Sequence, residues 1–380
     1  MVKGLSSQKL LKNNVLEENL CTGCGACVGL CPYQVIYHDR TVQLHYCDLT
    51  EGKCYAFCPR TPTDFAKLRE LLFDVNDLTP EIGAVKAYYL TRATDVSLRD
   101  VAQHGGTVTA LMELALAEGL IDSAIVSFRN QEFLQNGSMA KDKKTIRKNA
   151  GSKFTVSPTI AAFNQLVNQE AGKVGVVATP CQVLALAKMK AQSQKDESGK
   201  INQLQLVIGL YCGWALSMEK FSQMLAKYNI KLDAIKRMDI PAGKNILELY
   251  TEAGVKEISF DEAQACIREA CRYCIDSTAE YADVSVGAAR FSGNAEEQRR
   301  WNQLIVRTQK GRYLIELAVK RGVLEIREAP AESLQELKKA AAEKKKAALK
   351  NIMRKSGSAK NLLYLDRRDA VVQAILEQSR

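Results

Sequence analysis

Cys21, Cys24, Cys27 and Cys31 are separated by two, two and three residues, and Pro32 closes the run CTGCGACVGLCP. This is the ferredoxin-type spacing for a 4Fe-4S cluster, in which three thiolates wrap one cubane and the fourth leads toward a second. Gly23 and Gly25 let the backbone pass close to the sulfides. Cys47, Cys54 and Cys58 follow, with Cys58 again before a proline. Zinc would use four ligands and has no need of the closing Cys-Pro or of so many thiols in succession. The residues therefore predict two clusters, one on Cys21, Cys24, Cys27 and Cys58 and the other on Cys31, Cys47 and Cys54. The second set is one thiol short. A 3Fe-4S vacancy, Asp48, or a cysteine from elsewhere in the fold would each account for it, and a single-cluster module is the alternative count.

The remaining thiols lie far along the chain. Cys181 and Cys212 each follow a short apolar run, KVGVVATP and LQLVIGLY, at the carboxyl end of an expected strand, where open α/β sheets carry their chemistry. Cys271 and Cys274 form a Cys-x-x-Cys pair, which reads either as a redox dithiol or as half of a further cluster completed by Cys181 and Cys212. Cys266 is the spare thiol and the replacement for Cys212. Gly105 and Gly106 end a turn from which Thr107 and Thr109 open a helix, which makes either a phosphate seat or a tight turn with a capping threonine. GSKF, from Gly151, again groups a glycine with Ser152 and Lys153.

The elements that must position these groups are of α/β type: from Val85 onward, short apolar strands alternate with helices. The fold expected is an N-terminal ferredoxin-like iron-sulfur module (1–62), a connector (63–83), a mixed α/β domain (84–330) and a basic helical C-terminal tail (331–380). The tail is expected to be either a solvated helix pair or a docking element without chemistry of its own. The net charge of +10 comes largely from 338–355 and 141–153. Neither run is interleaved with aromatics, which argues against nucleic acid and for an anionic cofactor, substrate or partner. With no apolar leader and no apolar stretch of membrane-spanning length, the expectation is a cytoplasmic protein, peripheral to a membrane only through a partner.

The order QHGGTVTALMELALAEG, GSKF, ATPCQVLAL, IGLYCGWA, IREACRYCIDSTAEYADVSVG resembles the coenzyme F420 hydrogenase/dehydrogenase beta-subunit family, from residue 21 to about 325. The resemblance implies a flavoprotein that exchanges a hydride with the deazaflavin coenzyme F420 at FAD and passes single electrons through two or three 4Fe-4S clusters. Ferredoxin, a pyridine nucleotide or another substrate in place of coenzyme F420 is the alternative, and a non-enzymatic electron-transfer subunit is the rival from another class. The implied FAD site comprises Gly105, Gly106, Thr107, Thr109, Ser152, Lys153, Thr179, Pro180, Arg268, Asp276, Asp283, Ser285 and Gly287. Cys181, Cys271 and Cys274 match the family's cluster ligands, and Cys212 matches a position that commonly carries cysteine. Ala178 stands where glycine is usual, and Ala288 where an aspartate usually follows Gly287. The anionic coenzyme implies a cationic pocket, supplied by the 141–153 lysines with Arg268 and Arg290 unless that run is a solvated loop, and His104 is the histidine to test. The implied partner is the catalytic subunit of a larger formate dehydrogenase, hydrogenase, heterodisulfide-reductase-like or respiratory complex.

Overall fold

The computed structural model describes residues 5–129, 135–167, 169, 172–193, 200–241, 243–291 and 295–377. Its centre is an eight-stranded mixed sheet. Four strands in the middle run parallel, in the spatial order Val284–Ala288, Leu204–Leu210, Val174–Ala178, Ser123–Arg129. Their apolar runs are buried on both faces, as parallel strands between helical layers must be. Antiparallel strands complete the sheet: Gln135–Ala140 on one side, and Asn302–Val306, Ala87–Ala93 and Leu324–Glu328 on the other. The carboxyl ends of the parallel strands share one edge, so Thr179 to Cys181, Tyr211 and Cys212 emerge together.

Thr107–Ala117 and Gln309–Lys320 pack on one face of the sheet, Thr159–Val167 and Pro180–Ser193 on the other. The second core is continuous with the N-terminal module: Leu11, Val15, Leu20, Phe57 and Phe65 join the same apolar cluster. The cysteine loop is pinned there by three carbonyls, of Gly25, Ala26 and Val28, all accepting from the buried Asn164 amide. Gly25 has φ +84°, and an added Cβ would stand 2.7 Å from the Ala161 amide nitrogen, so a side chain is excluded both by conformation and by space.

Two parts of the fold differ from the sequence expectation. A small antiparallel sheet, Arg237–Asp239, Ile246–Thr251 and Gly254–Ser259, stands apart from the main sheet with its own core around Phe221 and Leu247, and closes over the strand-end edge. The tail is not a solvated helix pair but is docked onto the rest of the chain. In helix Ala331–Ser356, Ala341, Lys345, Ala348, Leu349 and Ile352 are buried, and Leu349 and Ile352 pack with Leu362 and Tyr364 into the core shared with the N-terminal module. The lysine density conceals this stripe, because long basic side chains lay their stems along apolar surface and keep only their heads in water.

Candidate functional site

The thiols fall into three neighbourhoods. Burial raises Cys27, and the charges of Cys21, Cys24 and Cys58 raise it further, while the Thr41 hydroxyl at 3.2 Å opposes them. Cys58 is pushed up to about 11 by burial, with Cys21 adding to the effect and the Arg60 amide and Lys188 opposing it. Cys54 is raised first by burial and then by Cys31 and Cys47. Cys212 is raised by burial and by Cys271, Cys181 and Cys274, with Lys344 acting against them. Cys24, raised by burial, also feels Cys181, so the first neighbourhood borders the third. Cys274 is shifted downward: burial raises it, but Lys344 and Arg60 more than offset that.

Among the described residues no three His, Cys, Asp or Glu side chains converge as they would on a single metal ion. A single ion gathers every ligand within about 2.3 Å of one point, whereas a cubane takes one thiolate at each of four separate irons. Spread thiols that still feel one another's charge suit the cluster. Cys266 is elsewhere, buried in the core of the small sheet with its sulfur facing the carbonyls of Lys220 and Glu262.

Beside the third neighbourhood lies a cavity of about 510 Å³ at the strand-end edge, within the range of small-molecule sites. Gly106, Thr107, Thr109, Ser152, Lys153, Thr179, Pro180, Asp276 and Gly287 line it, and Cys181, Cys212, Cys271 and Cys274 form one wall. Gly106, at φ +78°, turns the chain into helix Thr107–Ala117. Thr107 commits its hydroxyl to Thr91 and its amide to Asn302, which leaves the next amides of the first turn for an anion. Burial lowers Lys153 to about 8, with Arg129 adding to the shift, and its ammonium rests on the Ala150 carbonyl. His104 is lowered to about 4 by burial against the raising effect of Asp239. His104, Ser127, Thr155 and Thr159 also belong to the lining, while His104 Nδ1 and the three hydroxyls are themselves buried without hydrogen-bond partners among the described residues. Phe154, Trp214 and Phe260 offer ring faces, with centroids 6.3 and 6.2 Å apart in succession. The donor set therefore fits a cofactor with an aromatic ring system, hydroxyls and phosphates.

Four implied residues stand elsewhere. Gly105 is packed against Asn302, Arg92 and Thr91, where an added Cβ would have no room. Asp283 accepts from the Val207 amide and the Thr308 hydroxyl, and Ser285 accepts from the fully buried Arg307; both brace the sheet. Arg268 turns from the cavity into the N-terminal module, donating to the carbonyls of Thr22, Cys21 and Asp39 and to the Asp39 carboxylate. The 141–153 run divides between its two readings, with Lys153 in the lining and its earlier lysines on the surface. Lys143 and Lys144 are exposed on a short helix, and Arg147 is bound to Glu113 and Asp95. Arg290 does line the cavity. Sequence reasoning missed Arg60 and Lys344, both in the lining. Arg60 had a usable signal, directly after the closing Cys-Pro, while Lys344 is one lysine among many.

Three family descriptions match the chain: the N-terminal and C-terminal parts of the coenzyme F420 hydrogenase/dehydrogenase beta subunit over residues 88–164 and 171–332, and a 4Fe-4S binding domain over 15–37. The coenzyme F420 hydrogenase subunit beta of Methanothermobacter thermautotrophicus is 32% identical over 284 residues, 71% of this chain and 95% of that one. The coenzyme F420-dependent sulfite reductase of Methanocaldococcus jannaschii is 28% identical over 79% of this chain and 46% of its own length. Among solved structures, a chain of the F420-reducing NiFe hydrogenase complex of Methanosarcina barkeri superposes with a TM-score of 0.64 at 27% identity, covering 73% of this chain and 94% of that one.

Proposed function

The chain belongs to the coenzyme F420 hydrogenase/dehydrogenase beta-subunit family, and we propose that it exchanges a hydride with coenzyme F420 at an FAD held in the strand-end cavity, and passes the electrons singly through 4Fe-4S clusters to or from a partner catalytic subunit. The carrying observation is that the anion-seat turn at Gly106, the cation Lys153 and the wall of four thiols all face one cavity. FAD, when bound, supplies the conversion between a two-electron hydride carrier and one-electron clusters. The amides after Gly106, the Thr109 and Ser152 hydroxyls and Lys153 hold its phosphates. Phe154 and Trp214 shape the apolar part, Thr179 and Pro180 set Cys181 at the start of its helix, and Arg290 offers a second cation to the anionic coenzyme. Cys181, Cys212, Cys271 and Cys274 hold an inner cluster; Cys21, Cys24, Cys27 and Cys58 hold the next, and Cys31, Cys47 and Cys54 the outermost. His104, neutral at pH 7 and part of the lining, shapes the cavity beside Gly106.

Anaerobic mixing of FAD-reconstituted protein with reduced coenzyme F420 tests the proposal: the flavin absorbance bleaches, and neither reduced nicotinamide coenzyme matches it. Rapid bleaching by a nicotinamide and none by coenzyme F420 would overturn the substrate, whereas failure to take up FAD at all would leave a cluster-only carrier.

A further inference from the structure

The C-terminal segment from residue 333 onward lies outside the matched family regions, yet it is tied to the inner cysteine loops at three points. Lys344 Nζ donates to the carbonyl oxygens of Cys212, at 2.7 Å, and Asp276, at 2.9 Å. Asn351 Nδ2 donates to the Arg272 carbonyl, and the Tyr364 hydroxyl to the Tyr273 carbonyl. Lys344 thus bridges the loop carrying Cys212 to the loop carrying Cys271 and Cys274, while lining the cavity.

Its neighbour makes the contrast. Lys345 is neutralised by Glu280, whereas the hydrogen bonds of Lys344 among the described residues go to uncharged carbonyls, and no ion pair is formed. A half-buried cation held this way stands against the loops that carry Cys212, Cys271 and Cys274. The loss of hydration it accepts is offset only when an anion stands nearby. A cluster held by four thiolates is anionic and becomes more so on reduction, and a fixed positive charge favours the more negative form.

We propose that Lys344 is the built-in counter-charge of the inner iron-sulfur site, and that the C-terminal helix thereby sets the potential at which this site accepts an electron. The inference rests on the reading of Cys181, Cys212, Cys271 and Cys274 as cluster ligands. The step is a one-electron reduction of the cluster, by the flavin during turnover or by dithionite in a titration; no bond to protein forms or breaks and no proton is transferred.

Full-length protein carrying K344Q, K344R or, as control, K350Q, an exposed position on the same helix, is titrated potentiometrically under anaerobic conditions, with the clusters followed by electron paramagnetic resonance. K344Q lowers the inner cluster's midpoint by the equivalent of about a tenfold change in the one-electron equilibrium constant, about 59 mV. The N-terminal signals stay in place, K350Q matches wild type, and K344R restores most of the shift. An unchanged inner midpoint in K344Q overturns the inference. Should K344Q fail to retain the cluster, K344R carries the test: a near-wild-type midpoint agrees, and a tenfold shift despite the retained charge overturns it. Absence of any inner-cluster signal in wild type would instead remove the ligand assignment, a result distinct from an unshifted potential.

Discussion

At the scale of single residues, cysteine spacing carried most of the information, because clusters demand several thiolates and tolerate few substitutes. The fold draws the thiols into three neighbourhoods and packs Cys266, the spare, apart from them. Replacing Cys274 by serine should lower bound iron by about four per chain and remove one set of resonance signals while leaving the N-terminal ones. Loss of every signal together, or of none, would refute the separate inner site. Polar residues were less legible: Asp283, Ser285 and Arg268 sit in the motif-rich segments, but their bonds brace the sheet or the module junction, and nothing in residue type separates a ligand-binding arginine from a bracing one. His104 gives a pH signature. Its folded value, about 4, lies below the ordinary 6.5, so between those values the unfolded chain binds more protons and stability falls as pH drops. Wild type should lose roughly 1–2 kcal/mol from this source between pH 7 and 5. H104N should lose correspondingly less, as read from thermal midpoints of the two proteins at both pH values; equal losses would show that His104 titrates freely.

At the scale of elements, the two parallel strands that lead to Cys181 and Cys212 were readable as apolar runs closed by turns, and the structure sets them at Val174–Ala178 and Leu204–Leu210, within a residue or two of those runs. The small sheet was not readable: its outer strand, GVKEIS, is mostly exposed and carries no apolar run. The C-terminal helix was readable as a helix but its packing was not, since its buried positions are alanines and aliphatics scattered among lysines. The seating of the cysteine loop makes a direct prediction. Gly25→Ala requires a left-handed side-chain-bearing residue and a collision with the Ala161 backbone, together costing about 2–4 kcal/mol. Cluster retention during anaerobic gel filtration should fall in the N-terminal module while bound FAD changes little. Normal iron content and an unchanged thermal midpoint would show that the loop can shift aside.

At the scale of the whole molecule, the N-terminal module, the α/β domain and the C-terminal segment share one core. No helix among the described residues is long and apolar enough to cross a membrane. The relation of the parts was invisible in the sequence, which shows a cluster module, a connector and a tail in series; what joins them is contact at long separation, such as the Arg60 guanidinium on the Tyr364 hydroxyl, 304 residues away. The arginine that looked like part of the cofactor site turns out to have a different consequence. Arg268 grips three carbonyls and a carboxylate of the N-terminal module, and the Asn164 contacts pin the same module at a second place. A tethered carrier that swings between docking positions slows as its medium thickens, because friction opposes each excursion. With the module pinned in this way, electron arrival at its iron-sulfur site, followed by rapid mixing in sucrose or glycerol, should keep its rate as viscosity rises severalfold; an inverse dependence on viscosity would mean that the module lets go of Arg268 in every turnover.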